Sequence, residues 1–260
     1  MWLFLLNAAL ANEPFPVEQV TVEQAREAAD RQAAIDAHGK TKKSRLPADW
    51  EAADAAYKAW FTNWPSDSHA YDMHYAYAEL LYAMKRFDGA YDEYMKVVTM
   101  DPAGSHSRFC AESAIFAADE LVRRARGAGA VDPGPPGGET ATGPITADEQ
   151  RVVDACDTFL RLFPDDPKAT KVAYKAAYTL YNVNHFPEAA ERFQRVIAMS
   201  PKTKEAEQAA NLVLDSLVRT QDWARAADTA DAFLAMPDLG SAEFKAQVAE
   251  VAKQARAKAK

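Results

Sequence analysis

Along most of the chain, apolar residues recur three and four positions apart, and stretches that alternate apolar with polar are absent. Alanine-rich segments of about 14–20 residues are separated by short breaks, and the valines come in pairs inside the same helical spacing. The pattern predicts an all-α protein. The breaks carry proline at a regular interval: Pro65 and Pro102 are 37 positions apart, Pro164 and Pro201 again 37, Pro201 and Pro237 36. Proline cannot continue an i→i−4 ladder, so each one ends a helix and sets the entry of the next. A period of this length predicts helix pairs stacked as a solenoid.

Within the period the match extends to side chains. FDGAYDEYMKVVTMDP (87–102) aligns with FPEAAERFQRVIAMSP (186–201): an aromatic, Ala three on, an aromatic four further, an apolar pair, then Pro. The small Ala90 and Ala189 mark where the two helices of a pair approach closely, and Phe87, Tyr94, Phe186 and Phe193 fill the space between pairs. The preceding helix adds a small residue and an aromatic, Ala78 with Tyr82 and Ala177 with Tyr181. These offsets resemble the tetratricopeptide repeat over about residues 48–125 and 147–240. The usual Trp early in the first helix is missing, and in 148–164 Val152 and Cys156 replace the Ala and the aromatic.

A longer period encloses the short one. Shifted by 99 positions, Trp60, Trp64 and Pro65 fall on Phe159, Phe163 and Pro164, and Tyr75, Leu81 and Tyr82 fall on Tyr174, Leu180 and Tyr181. Phe87, Ala90, Tyr94, Met100 and Pro102 fall on Phe186, Ala189, Phe193, Met199 and Pro201 in the same register. The expected organisation is therefore an export signal at 1–11, an N-terminal helical segment at 12–47, a first repeat block at 48–125, a Gly/Pro linker at 126–146, and a second block with a terminal helix pair at 147–260. Between the blocks, GAGAVDPGPPGGETATGP (127–144) has Gly or Pro at ten of eighteen positions. Such a composition buries too little apolar surface to offset its ordering entropy. A long insertion adds little closure entropy, so its flanking helices can still be neighbours.

Composition narrows the function. The chain has 260 residues, 48% of them apolar, enough for a sizeable core. A formal charge of −8 argues against nucleic acid, since phosphate contacts need a basic surface. Lys40-Thr41-Lys42-Lys43-Ser44-Arg45 reads as a solvated turn before Pro47, and the four cations of Lys253–Lys260 as the exposed end of a last helix. The opening MWLFLLNAALANEP has an apolar run, Trp2–Leu10, ending in the small-x-small pattern Ala9-Leu10-Ala11. It reads as an export signal without basic leading residues, or as packing surface of a first helix; it is too short to span a bilayer. No Cys follows Ala11, which argues against a lipid anchor.

No catalytic constellation emerges. Ala34–Thr41 fits a relaxed phosphate-loop pattern, but it continues a helical run and reads as a helix end capped by Gly39. His38, His69, His74, His106 and His185 are scattered without metal-ligand spacing. Asp165-Asp166 reads as a cap for the next helix. Cys110 and Cys156 form neither a metal motif nor a disulfide framework, and the strict geometry of a bridge disfavours one between them. No cofactor and no enzyme activity is expected.

The resemblance implies a protein-binding groove lined by the first helix of each pair. Its inward positions are Asp72, Tyr75, Glu79 and Tyr82; Phe109, Glu112, Phe116 and Asp119; Lys171, Tyr174, Tyr178, Tyr181 and Asn182; and Asn211, Asp215 and Arg219. Tyrosine combines a large apolar area with a polar tip and suits a peptide surface, although several of these rings can equally be helix packing. Tyrosine at the fifth position of both central helices departs from the carboxylate clamp of some family members. The implied role is a scaffold for partner proteins. With an export signal it is similar to the repeat proteins of the bacterial cell envelope, and YAELLYAMKRFDGAYDEYMKVV looks most like periplasmic gliding-motility members. A cytosolic adaptor or co-chaperone is the alternative, and a helical accessory subunit of a cell-wall enzyme a third.

Overall fold

The computed structural model describes residues 20–44, 46–127 and 143–260, and the expected export signal and most of the linker lie outside them. Two compact units divide between Pro65 and Ser66. The first contains α1 (Val22–Ser44) and α2 (Pro47–Asn63), packed against each other. Thr21 and Gln24 form a reciprocal capping box that starts α1, and Pro47 starts α2, where its missing N–H costs nothing. Two tryptophans of α2 and its end tie to carboxylates of α1: the Trp60 indole donates to Glu27 at 3.0 Å and the Trp64 indole to Asp30 at 3.0 Å.

Two local expectations fail in this unit. Gly39 lies inside α1, not at its end, and Lys40–Ser44 are helical rather than a turn. Lys40 pairs with Asp49 of α2 at 2.7 Å and Thr41 is fully buried, so tertiary contacts carry the helix past a residue that propensity makes a stop. The helical backbone also removes any phosphate loop from this stretch.

The second unit contains α3 (Ala70–Ala83), α4 (Phe87–Met100), α5 (Ser107–Gly127), α6 (Ala147–Leu162), α7 (Ala169–Asn182), α8 (Phe186–Met199), α9 (Lys204–Arg219), α10 (Trp223–Ala235) and α11 (Ala242–Lys258). From α4 onward each packs on the helix before it, and α9 also touches α7 and α11. Ala78, Ala90, Ala177 and Ala189 are fully buried at the helix crossings, where any larger side chain would force the axes apart. Tyr94, Phe159 and Phe193 fill the spaces between. Val152 and Cys156, the departures from the repeat pattern, are themselves fully buried.

Three of the turns inside pairs share one device. Lys85, Asn184 and Gln221 all have left-handed backbone (φ 59°, 63° and 56°), and the following amide reaches back to a carbonyl of the last turn: Arg86 to Leu81, His185 to Leu180, Asp222 to Leu217. This Schellman-type closure satisfies carbonyls that a helix end leaves orphaned.

α5 and α6 pack as neighbours although a long segment joins them. α5 continues to Gly127, beyond the expected start of the linker at 126. Thr146 and Glu149 form a capping box that starts α6, Arg126 reaches Glu149 at 3.5 Å, and His185 meets the Gly143 carbonyl at 2.9 Å. Asp166 is not the N-cap of α7, which is Lys168; its carboxylate accepts from the Lys168 amide at 2.8 Å and from Arg108 of α5 at 2.8 Å. Cys110 and Cys156 are free, buried thiols, and burial pushes each up to about 12. Before α11, Gly240 takes φ 73° and a Cβ there would run into the Phe244 ring, so only glycine serves.

Candidate functional site

The odd-numbered helices α3, α5, α7 and α9 are joined side to side by their own side chains. From α3 to α5 the link is aromatic: Tyr75 stacks on His106 with ring centres 3.9 Å apart and meets Phe109 edge-on at 5.9 Å. Tyr71 covers the other side of His106 at 5.6 Å, and its hydroxyl accepts from the His106 amide at 2.8 Å. Asp72 approaches the His106 Nε2 at 3.3 Å. Glu79 accepts the hydroxyl of Tyr94, and burial, reinforced by that carboxylate, holds the Tyr94 phenol well above its ordinary value. Tyr82 leans on Phe87, ring centres 5.1 Å apart.

From α5 to α7 the link is ionic. Lys168 pairs with Glu112 and Lys175 with Asp119, while Arg108 bridges Glu112 and Asp166, each at 2.8 Å. Ile115, Phe116 and Val172 lie between these pairs and complete a groove of about 390 Å³. Lys171 stands at its edge, exposed and without an ion pair among the described residues.

On α7 itself, Tyr174, Tyr178 and Tyr181 form a stack with ring centres 5.9 and 6.2 Å apart. Tyr181 is buried and donates its hydroxyl to Asp215 of α9; burial first, and then that carboxylate, push its phenol up to about 12. Arg219 pairs with the same carboxylate and lies over the Tyr181 ring at 5.8 Å and the Phe186 ring at 5.3 Å. Asn182 is half-buried at the end of α7, and Asn211 is exposed on α9.

The chain of contacts from α3 to α9 runs through Tyr75, Phe109, Glu112, Asp119, Tyr181, Asp215 and Arg219, the last three committed to one another, while Lys171, Asn182 and Asn211 stand outside these contacts. The sequence reading passed over Tyr71, His106, Arg108, Lys168 and Lys175. The spacing of Lys168, Lys171 and Lys175, three and four apart, is the signal that puts them on one side of a helix. The five histidines each have a partner: His38 with Tyr57, His69 with Asp67, His74 with Glu93, His106 with Asp72 and His185 with the Gly143 carbonyl. Burial, with Lys42 nearby, lowers the His38 pKa.

Helix pairs closed by the same left-handed turn, crossing at buried alanines and linked first helix to first helix, decide the fold. It is a helix-pair solenoid of the tetratricopeptide type. No family model and no curated protein matches the sequence. Among solved structures, MamA residues 41-end from Desulfovibrio magneticus RS-1 is similar at 11% identity and a TM-score of 0.38, over 91% of this chain and 98% of that one. TTC0263, a thermophilic TPR protein of Thermus thermophilus, is similar at 10% identity and a TM-score of 0.34, over 86% and 98%. Pseudomonas aeruginosa PilF is similar at 15% identity and a TM-score of 0.37, over 90% and 89%. Likenesses this low say nothing of a ligand or a role. Among the described residues, no helix of this TPR-type chain is long and apolar enough to cross a membrane.

Proposed function

We propose that this chain is a non-catalytic scaffold that holds partner proteins on the face shared by α3, α5, α7 and α9, and that it works in the bacterial cell envelope. One observation carries the binding face. Phe109, Phe116 and Tyr178 are 44%, 53% and 40% exposed, and they are the exposed aromatic side chains among the described residues; all three lie on this face. Exposed rings beside satisfied ion pairs form an apolar centre with a polar surround, the composition of a protein-docking patch. Tyr75, Glu79, Tyr82, Glu112, Lys171, Tyr174, Asn182 and Asn211 extend it, while Tyr181, Asp215 and Arg219 hold α7 to α9 beneath it. The envelope reading rests on Trp2–Leu10 and the Ala9-Leu10-Ala11 pattern, and on the resemblance to gliding-motility repeat proteins.

A photo-crosslinking residue placed in turn at Phe116, Tyr178 and the exposed Asp92 of α4 tests the face in living cells. Discrete adducts of the same partner from Phe116 and Tyr178, and none from Asp92, are expected. Equal adducts from all three positions would remove the reading. The intact mass of chain recovered by osmotic shock tests the compartment: a product beginning at Asn12 is expected, whereas a full-length chain held with the cytoplasm makes it a cytosolic adaptor.

A further inference from the structure

The 99-residue repeat contains a charge inversion that the proposed docking face does not use. On the side of the stack where α6 and α8 flank α7, a groove of about 450 Å³ opens. That volume is at the lower end of ligand pockets, which run about 300–1,000 Å³. Its floor is Ala173 and Ala176 of α7. At 3.6 residues per turn these two point roughly opposite to Lys171, Tyr174 and Tyr178, so the groove belongs to a different face from the aromatic one.

Small residues carve the groove. At the corresponding positions of the first repeat stand His74 and Tyr77, and His74 bonds to the buried Glu93. The shift carries Glu93 onto Arg192 and its partner Lys96 onto Arg195, so a filled, internally paired site becomes an open one with a net excess of arginine. Arg192 is held by Asp157 through two contacts of 2.6 and 2.9 Å. Arg161 and Arg195 are different: both line the groove, both are exposed, and neither has an ion pair among the described residues. Leu160 and Met199, the latter 43% exposed, supply apolar walls. Two uncommitted guanidiniums over an apolar trough match a segment that brings its own carboxylates.

We propose that this groove is a second docking site, for an acidic amphipathic peptide segment of a partner protein that sets one large apolar side chain over Ala173 and Ala176 and its carboxylates on Arg161 and Arg195. The fork of each guanidinium takes a carboxylate in two parallel hydrogen bonds, and the apolar side chain covers the floor that those arginines frame. The two faces then let one chain hold two partners at once. The site does not depend on the aromatic face and survives its failure.

The test is a display selection of short random peptides on the full chain, with the Arg161→Glu/Arg195→Glu variant as counter-target. Peptides that bind the natural chain and lose at least about tenfold in affinity on the variant are expected to carry Asp or Glu on both sides of Leu, Phe or Met. Lys171→Glu, on the opposite side of α7, should leave their affinity unchanged. Both arginines are exposed, so circular dichroism should show native helicity; Arg161→Ala/Arg195→Ala replaces the reversal if it does not. Selected peptides that ignore the arginines, or depend on them without carrying acidic residues, would overturn the proposal. So would a loss of binding on Lys171→Glu, or sedimentation showing a dimer of the natural chain that the Arg161→Glu/Arg195→Glu variant abolishes, since a second copy would then cover the groove.

Discussion

The pair α3 and α4 and its counterpart α7 and α8, 99 positions later, have the same helix bounds but different side-chain contacts, and α5 runs longer than α9. Both turn from first to second helix through a left-handed residue, Lys85 and Asn184, and both cross at fully buried alanines. The contacts between helices differ. In the first, the Tyr94 hydroxyl donates to Glu79; in the second, Phe193 replaces the tyrosine and Tyr178 the glutamate, and Phe193 packs against Tyr174 at 5.4 Å and Tyr181 at 6.3 Å. In the second, Tyr181 donates to Asp215; in the first, Phe116 holds the aspartate's place and turns its ring to solvent. A buried polar group costs far more alone than together with its partner, so Tyr94 and Glu79 change together, whereas Tyr82 and Tyr181 both stay tyrosine and only the partner position changes. Phe116 stands exposed in the place of the aspartate that Tyr181 has and Tyr82 lacks.

The most severe way to break the comparison is to remove its shared core. Phe193→Ala should cost about 3–5 kcal/mol, read from urea unfolding midpoints, because the ring is fully buried and the helices around it cannot close completely. A loss below about 1 kcal/mol would mean that this second copy of the repeat tolerates voids the packing does not suggest.

Swapping one half of a pair should cost less and reveal the pairing. Phe193→Tyr places a hydroxyl where the acceptor's counterpart is Tyr178, at a cost of about 1–3 kcal/mol. Adding Tyr178→Glu should recover most of it, giving a coupling energy that a double-mutant cycle reads directly. Independent, additive effects would show that the pairs were not exchanged as units.

Acid should separate the two copies. Burial alone would raise the Glu93 carboxyl, but hydrogen bonds from His74 and Lys96 outweigh it and hold the pKa below the ordinary 4.5. A depressed folded-state value stabilises the protein above the unfolded pKa and loses that contribution as pH falls below 4.5 through the folded one. Glu93→Gln should therefore flatten the decline of stability below pH 4.5, and Arg192→Gln, at the matching position, should not.

The smallest effects belong to the left-handed turns, of which Lys85 and Asn184 correspond in the two copies. Lys85→Gly and Gln221→Gly should each stabilise by up to about 1 kcal/mol, since glycine enters the left-handed region without a Cβ clash. Asn184→Gly should gain only a few tenths of that, because asparagine already tolerates this backbone. Thermal midpoints for the three variants would rank the turns.

Much of this architecture can be read from the letters. Helical spacing, proline period and the Ala90/Ala189 register are local properties, and each turn repeats them, so periodicity alone establishes an all-α stack of pairs. The first-helix positions Phe109, Phe116 and Tyr178 follow only with the resemblance to the tetratricopeptide repeat. What periodicity does not contain is which side chains meet across helices. Gly39 stays helical because contacts from beyond its own turn outweigh its propensity. His106 lies before α5 and carries no helical phase, yet the fold slides it between Tyr71 and Tyr75. Arg108 finds Asp166 across 58 positions, and Ala173 and Ala176 become a groove only because α6 and α8 stand on either side. The spacing of residues along one helix is set by its own backbone hydrogen bonds and is written in order. The pairing of charges and rings between helices depends on distances that exist only after the stack has closed.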